Sequence, residues 1–166
     1  MYTIILIYTN IMKSISEYIK TQNISFDETL DVENVLKDVK IEEFDHIDID
    51  IHERIHRSLL TICLIADGNL SEIKKKLKQY RLIDDVYLLH KGKQVRWINK
   101  EQEGEKQYSL QRGGVVVDVK FVANGTNVLI FNKYNKRCIQ IQFDKVLLFQ
   151  KLSLEEEMIL YLKRTI

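Results

Sequence analysis

The chain has 166 residues, 45% of them hydrophobic and 30% charged, and a formal net charge of +1. That length suits one domain or two small lobes, and that composition excludes a disordered or fibrous chain. The longest apolar run near the start, Ile4 to Tyr8, is far shorter than the roughly 20 residues a bilayer span needs, so no membrane span is expected. The same region lacks a basic leader and a small-residue cleavage site, which points to an intracellular protein. Cys63 and Cys138 form no spaced pair, and both are expected as buried free thiols rather than a disulfide. Met12 offers a second start, with the first eleven residues as an extension.

The first half reads mainly as helix. Ile15, Tyr18 and Ile19 recur at helical spacing within 12–21, and positions 32, 35, 36 and 39 do so within 30–39. Phe44 to Ile51 alternates apolar and acidic residues, as a short strand or as the approach to the next helix. From His52 to Ala66 the period is helical, with Ile55, Leu59, Ile62, Cys63 and Ala66 on one stripe. Asp67-Gly68-Asn69 is expected to break it, with Gly68 suited to a left-handed terminus. Asn69 then caps a new helix with Glu72 three positions into it. Leu70, Ile73, Leu77 and Tyr80 form its apolar face.

The period changes from 3.6 to 2 near Tyr80. Val86–His90, the turn at Gly92, and Gln94–Ile98 read as a hairpin. Residues 101–107 are a polar loop. Gly113-Gly114 suits a bend at a barrel corner. Strands are expected at 115–122, 127–131, 138–143 and 146–149, the middle turn being Ala123-Asn124-Gly125. Six short strands suggest an antiparallel barrel of the SH3 or OB type, because closure removes reactive edges. Ser153 caps a final helix with Glu156 as its reciprocal partner, and Leu154, Met158, Tyr161 and Leu162 are placed to seal the barrel. The fold class expected is therefore α+β: a helical lobe over 1–82, then a small β-barrel with a C-terminal helix over 83–166.

Two regions of opposite charge stand out. From Asp27 to Glu53 there are eleven acidic residues against Lys37 and Lys40, a net of −9. From Ser71 to Lys100 nine Lys and Arg face Glu72, Asp84 and Asp85, a net of +6. They read either as solvated faces that attract each other or as docking surfaces for partners.

One string names a reaction. His52-Glu53-Arg54-Ile55-His56 is H-E-x-x-H, in which a helix presents two zinc ligands and a general base. On a helix His52 and His56 project together, as a zincin requires. The rest of the zincin pattern is missing, since Leu59 and Ile62 stand where glycine and the third histidine belong. Arg54 lies inside the motif and Arg57 directly follows it, and a guanidinium is repelled by a dication. The resemblance covers five residues, so coincidence is the preferred reading, no metal or other cofactor is expected, and a zinc site at His52 and His56 remains a remote alternative.

The basic residues Lys74, Lys75, Lys78, Arg81, Lys91, Lys93 and Arg96 are interleaved with Tyr80, Tyr87 and Trp97. Cations beside aromatics on a small barrel can hold phosphates and stack bases. Trp97, with Val95 and Ile98 beside it, reads as core. A net charge of +1 also falls short of a strongly basic nucleic-acid domain. The stretch from Leu59 to Lys75 resembles the start of a winged helix, but strands follow where a recognition helix would be needed.

The chain contains no proline. The stretches DDVYLLHKGKQVRWI (84–98), RGGVVVDV (112–119) and FDKVLLFQKLSLEEEMIL (143–160) give its second half a character of its own. In these the chain resembles small uncharacterised proteins of nucleocytoplasmic large DNA viruses. The resemblance implies no catalytic residues. The expectation is a non-enzymatic interaction protein, such as a minor capsid or virion-associated component, located in host cytoplasm or virion. Its partners would be other proteins in an assembly, met through the seven basic residues above. A nucleic-acid-binding small barrel is the alternative.

Overall fold

The computed structural model describes residues 47–62, 67–101 and 108–165. The helices expected at 12–21 and 30–39, Cys63 and most of the loop at 101–107 lie outside them. Three helices and a six-stranded antiparallel sheet make the described fold α+β. By contacts the chain divides into two compact units, one of residues 50–152 and one of residues 1–49 with 153–166. The boundary expected at 82/83 does not follow this division, because the two helices before it share a core with the strands after it.

Helix α1, Ile51–Ile62, turns Ile51, Ile55 and Leu59 inward, one residue every four. Helix α2, Asp67–Lys76, does the same with Ile73, and Leu77 in the turn after it is buried as well. Asp67, Gly68 and Asn69 lie inside α2, so the expected break there is corrected: the helix starts at Asp67, three residues before the expected Leu70. Glu72, expected as a capping partner, instead pairs with Lys76 at 2.5 Å, one turn along the helix.

The strands are β1 (Tyr80–Ile83), β2 (Gln94–Asn99), β3 (Gly114–Val122), β4 (Gly125–Asn132), β5 (Arg137–Gln142) and β6 (Val146–Lys151), in the order β1-β6-β2-β3-β4-β5. No pairing joins β1 to β5 among the described residues, so the sheet is open where a closed barrel was expected. The expected strand 86–90 is a 3-10 turn over Val86–Leu88, and the strand present in its place is β1. The local reason is Asp85, whose side chain accepts a hydrogen bond from the Tyr87 N–H at 2.9 Å and so caps the turn.

The sheet is covered on one side by α1 and α2. Ile98 and Phe149 join Ile55, Leu59, Ile73 and Leu77 in that layer, with Tyr80 and Leu82 packed against it. On the other side Val95, Trp97, Val116, Val128, Ile130 and Leu148 form a second cluster, closed by Leu89 from the segment after the 3-10 turn. Trp97 is core, as its neighbours predicted. Strand β6 contributes to both layers, which is why its stretch Val146–Phe149 is continuously apolar. The glycine pair permits close approach of strands: a Cβ on Gly113 would lie 1.8 Å from the Val95 carbonyl oxygen, and one on Gly114 2.3 Å from that of Phe131.

The described part of the other unit is Ile47–Ile49 and helix α3, Leu154–Thr165. Its start matches the expected capping box. The Ser153 N–H donates to Glu156 Oε2 at 2.8 Å, and the Glu156 N–H donates to Ser153 Oγ at 3.2 Å. Met158, Ile159 and Leu160 are buried, and Lys163 Nζ donates to the Ile47 carbonyl at 2.8 Å. By contacts this helix belongs to the unit with residues 1–49. Among the described residues no helix is long and apolar enough to cross a membrane.

Candidate functional site

The H-E-x-x-H string does lie on a helix, and His52, Glu53 and Arg54 are already engaged. His52 Nε2 is 2.8 Å from the Lys78 carbonyl oxygen. A ring nitrogen that donates its proton to a carbonyl has no lone pair left for a metal. Glu53, the would-be general base, accepts a hydrogen bond from Arg57 at 2.6 Å, and this bond holds its carboxyl below the usual range. Arg54 pairs with Asp84. Among the described residues three buried side-chain atoms have no hydrogen-bond partner, Asp50 Oδ1, His56 Nδ1 and Asn127 Oδ1, and one of them is in the motif. Among the described residues no three His, Cys, Asp or Glu side chains gather where they could hold a metal ion.

The seven basic residues do not form one face. Lys74 and Lys75 in the last turn of α2, and Lys78 just after it, are exposed and make no ion pair among the described residues. Arg81 leaves the surface altogether: it is 2% exposed and donates from Nη2 to the Leu88 carbonyl at 2.8 Å. The cause is strand β1, which turns Arg81 and Ile83 to the face opposite α1 and α2. Lys91 pairs with Asp118 at 2.5 Å. Arg96 is half-buried, donating from Nε to the Gln111 carbonyl at 3.0 Å, and Lys93 is half-buried in the turn before β2. Cys138, expected to be buried, is exposed on β5.

Arg81 has a positioning role that its sequence context hides. It lies opposite Gln150 in the pairing of β1 with β6. Arg81 holds the Leu88 carbonyl, and Gln150 Oε1 accepts the His90 N–H at 2.8 Å. Gly92 N–H to the Val116 carbonyl (2.8 Å) and Val116 N–H to the Lys93 carbonyl (3.0 Å) fasten the same segment to β3. Residues 84–93 are therefore tied to the sheet at four points, and Tyr87 is displayed on their outer side, 80% exposed.

Phe121 on β3 is 64% exposed and stacks with Tyr87, ring centroids 6.1 Å apart. A second exposed ring, Tyr134 in the β4–β5 turn, lies under the Arg112 guanidinium at 5.8 Å. Sequence reasoning assigned Phe121 to an alternating, core-facing strand and so missed it. Tyr134 was visible as an aromatic inside a turn. Lys91 and Lys120 flank Asp118, whose carboxyl is held below its usual range, first by the Lys91 hydrogen bond, then by the Val119 backbone N–H. Chemically this region offers π faces and ammonium groups rather than a nucleophile with a base. Comparison with protein-family models, curated proteins and solved structures finds no match for this chain.

Proposed function

We propose that this chain is a non-enzymatic interaction protein, a minor capsid or virion-associated component of a large DNA virus, acting in host cytoplasm or virion without a cofactor. The observation that supports this most is the cluster Lys74, Lys75 and Lys78, exposed and without an acidic partner among the described residues. Like charges one turn apart cost a few tenths of a kcal/mol per pair. Lysines near a helix C-terminus recover part of that from the macrodipole. An anionic surface on another protein offsets the remainder. The strand order also supports a finer reading of the fold. After a 3-10 turn at Phe143–Lys145, β6 returns beside β2, the first strand of the β2–β5 meander, in the manner of an SH3-like small barrel left open along β5.

The test compares the tagged full chain with a K74E/K75E/K78E variant, both expressed in the organism of origin, by the proteins each retains at low salt. A protein retained by the parent and lost by the variant is expected, with the difference shrinking as salt rises. Equal retention at low salt would make the lysines a solvated surface and end this proposal.

A second reading, a nucleic-acid-binding small barrel, draws support from the exposed, stacked rings of Tyr87 and Phe121. Steeply salt-dependent affinity for an oligonucleotide separates it from the first reading.

A further inference from the structure

Four cations collect at one end of the sheet with no acid to meet them. Between Asp118 and Asp144 the sequence has Lys120, Lys133, Lys136 and Arg137 and no acidic residue. Lys133 and Lys136 sit in the turn between β4 and β5, and Arg137 opens β5. Arg112 joins them through the sheet. Val115 lies opposite Phe131, so the residues just before β3 run alongside the end of β4 and the turn after it. Gly114, which no larger residue could replace beside the Phe131 carbonyl, makes that approach possible. Arg112, Lys133, Lys136 and Arg137 are all exposed, and none makes an ion pair among the described residues. The two flanking acids are out of reach. Asp118 is paired with Lys91, and Asp144 lies by Gly125, at the far end of β4.

Tyr134 stands in the same turn, 80% exposed, with the Arg112 guanidinium over its ring at 5.8 Å. The turn is closed by the pairing of Asn132 with Arg137 and held by two side chains. The Tyr134 N–H donates to Asn132 Oδ1 at 2.9 Å, and the Arg137 N–H donates to Asn135 Oδ1 at 3.1 Å. A ring on so constrained a turn loses little freedom when a partner arrives. Charge calls for an anionic partner, and the ring decides which kind. The face of a tyrosine is electron-rich and repels a carboxylate, so an acidic peptide would engage the cations and leave the ring unused. A planar base stacks on that face, and every nucleotide brings a phosphate with its base. A guanidinium over a ring keeps its in-plane N–H donors for such an oxyanion.

We propose that Arg112, Lys133, Lys136 and Arg137 bind the phosphates of single-stranded nucleic acid, one of whose bases stacks on Tyr134. This rests on the second reading above and gives it a site apart from the Tyr87 and Phe121 rings. A duplex encloses its base faces, so it engages the cations alone and binds more weakly than a single strand.

The test measures anisotropy of a labelled oligothymidylate of about 15 nucleotides against the full chain over a salt series. The variants are Tyr134→Ala, Tyr134→Phe, Arg112→Gln, Lys133→Gln, Lys136→Asn and Arg137→Gln, with circular dichroism confirming that each folds. Asparagine serves at 136 because that residue has a φ of 54°, where asparagine is tolerated. Tyr134→Ala should weaken binding by about tenfold with the salt slope unchanged. Tyr134→Phe should bind as the parent does, because it keeps the ring. Each cation variant should lower the logarithmic salt slope by about 0.7, the loss of one phosphate contact on a single strand. No binding by the parent at low salt would overturn both this site and the nucleic-acid reading. Binding that all these variants leave intact, but that Tyr87→Ala or K74E/K75E/K78E weakens, would overturn the site and keep the reading. Competition by polyglutamate as effective as by unlabelled oligonucleotide, with Tyr134→Ala binding like the parent, would make the patch a contact for acidic protein and overturn the proposal.

Discussion

Asp118 shows how much one side chain here depends on its neighbours. Its carboxyl is held below the ordinary range chiefly by Lys91, so the folded state releases this proton more readily than the unfolded state does. The stabilisation is present above the unfolded pKa and is lost as pH falls through the lower, folded one, which places its disappearance in the acid range. An NMR titration of the Asp118 side chain should give a midpoint below that of an ordinary aspartate. Lys91→Ala should move it upward, and an unmoved midpoint would break the assignment of this pair. Arg81 presents the opposite case, a cation taken out of water to hold the Leu88 carbonyl. Arg81→Ala leaves that acceptor without its donor and a void beside it, a loss of about 2–3 kcal/mol in urea unfolding. Lys74→Ala, on the exposed end of α2, should stay within about 0.5 kcal/mol of the parent. If the two variants unfold alike, Arg81 does not anchor the segment that carries Tyr87. Neither difference was legible in sequence, where Arg81 and Lys74 belong to one basic run.

Among the elements, α3 was the most readable, because its start is specified by residues in contact along the chain. Ser153 and Glu156 exchange hydrogen bonds three positions apart, and no distant part of the protein is needed to predict them. Ser153→Ala should cost about 1 kcal/mol, with the helix fraying from its first turn as amide hydrogen exchange would detect. Unaltered exchange at Glu155–Glu157 would mean that packing alone holds this end. The strands β3, β4, β5 and β6 were legible for a similar reason, as runs of period 2 separated by turn residues. The errors fall where two local signals compete. Tyr80 continues the apolar spacing of α2 and was assigned to that helix, although pairing with β6 makes Tyr80–Ile83 a strand. Val86–Leu88 is apolar enough for a strand, but Asp85 caps it as a 3-10 turn. The stacked pair Tyr87–Phe121 stayed hidden because it joins exactly such a misread turn to a bulged strand.

For the whole unit of residues 50–152, β6 is the strand on which both layers depend. Leu148 faces one cluster and Phe149 the other, beneath α1 and α2. Phe149→Ala should destabilise this unit by about 3–5 kcal/mol, since a fully buried ring leaves a cavity that flanking strands cannot collapse to fill. Denaturant unfolding followed by Trp97 fluorescence reads this directly, and a loss under about 1 kcal/mol would contradict the two-layer account. The sequence by itself determined the mix of helix and antiparallel strand, the capping box of α3, the strands after residue 113 and the buried Trp97. Each of these follows from spacing or from turn and capping chemistry. Tertiary structure decided that β1 and β5 do not pair with each other among the described residues, that α1 and α2 share a core with the sheet, that Arg81 is buried and Cys138 exposed, and that Tyr87 meets Phe121. These depend on which strands pair and in what register, and residues far apart along the chain choose that together through the surface they bury.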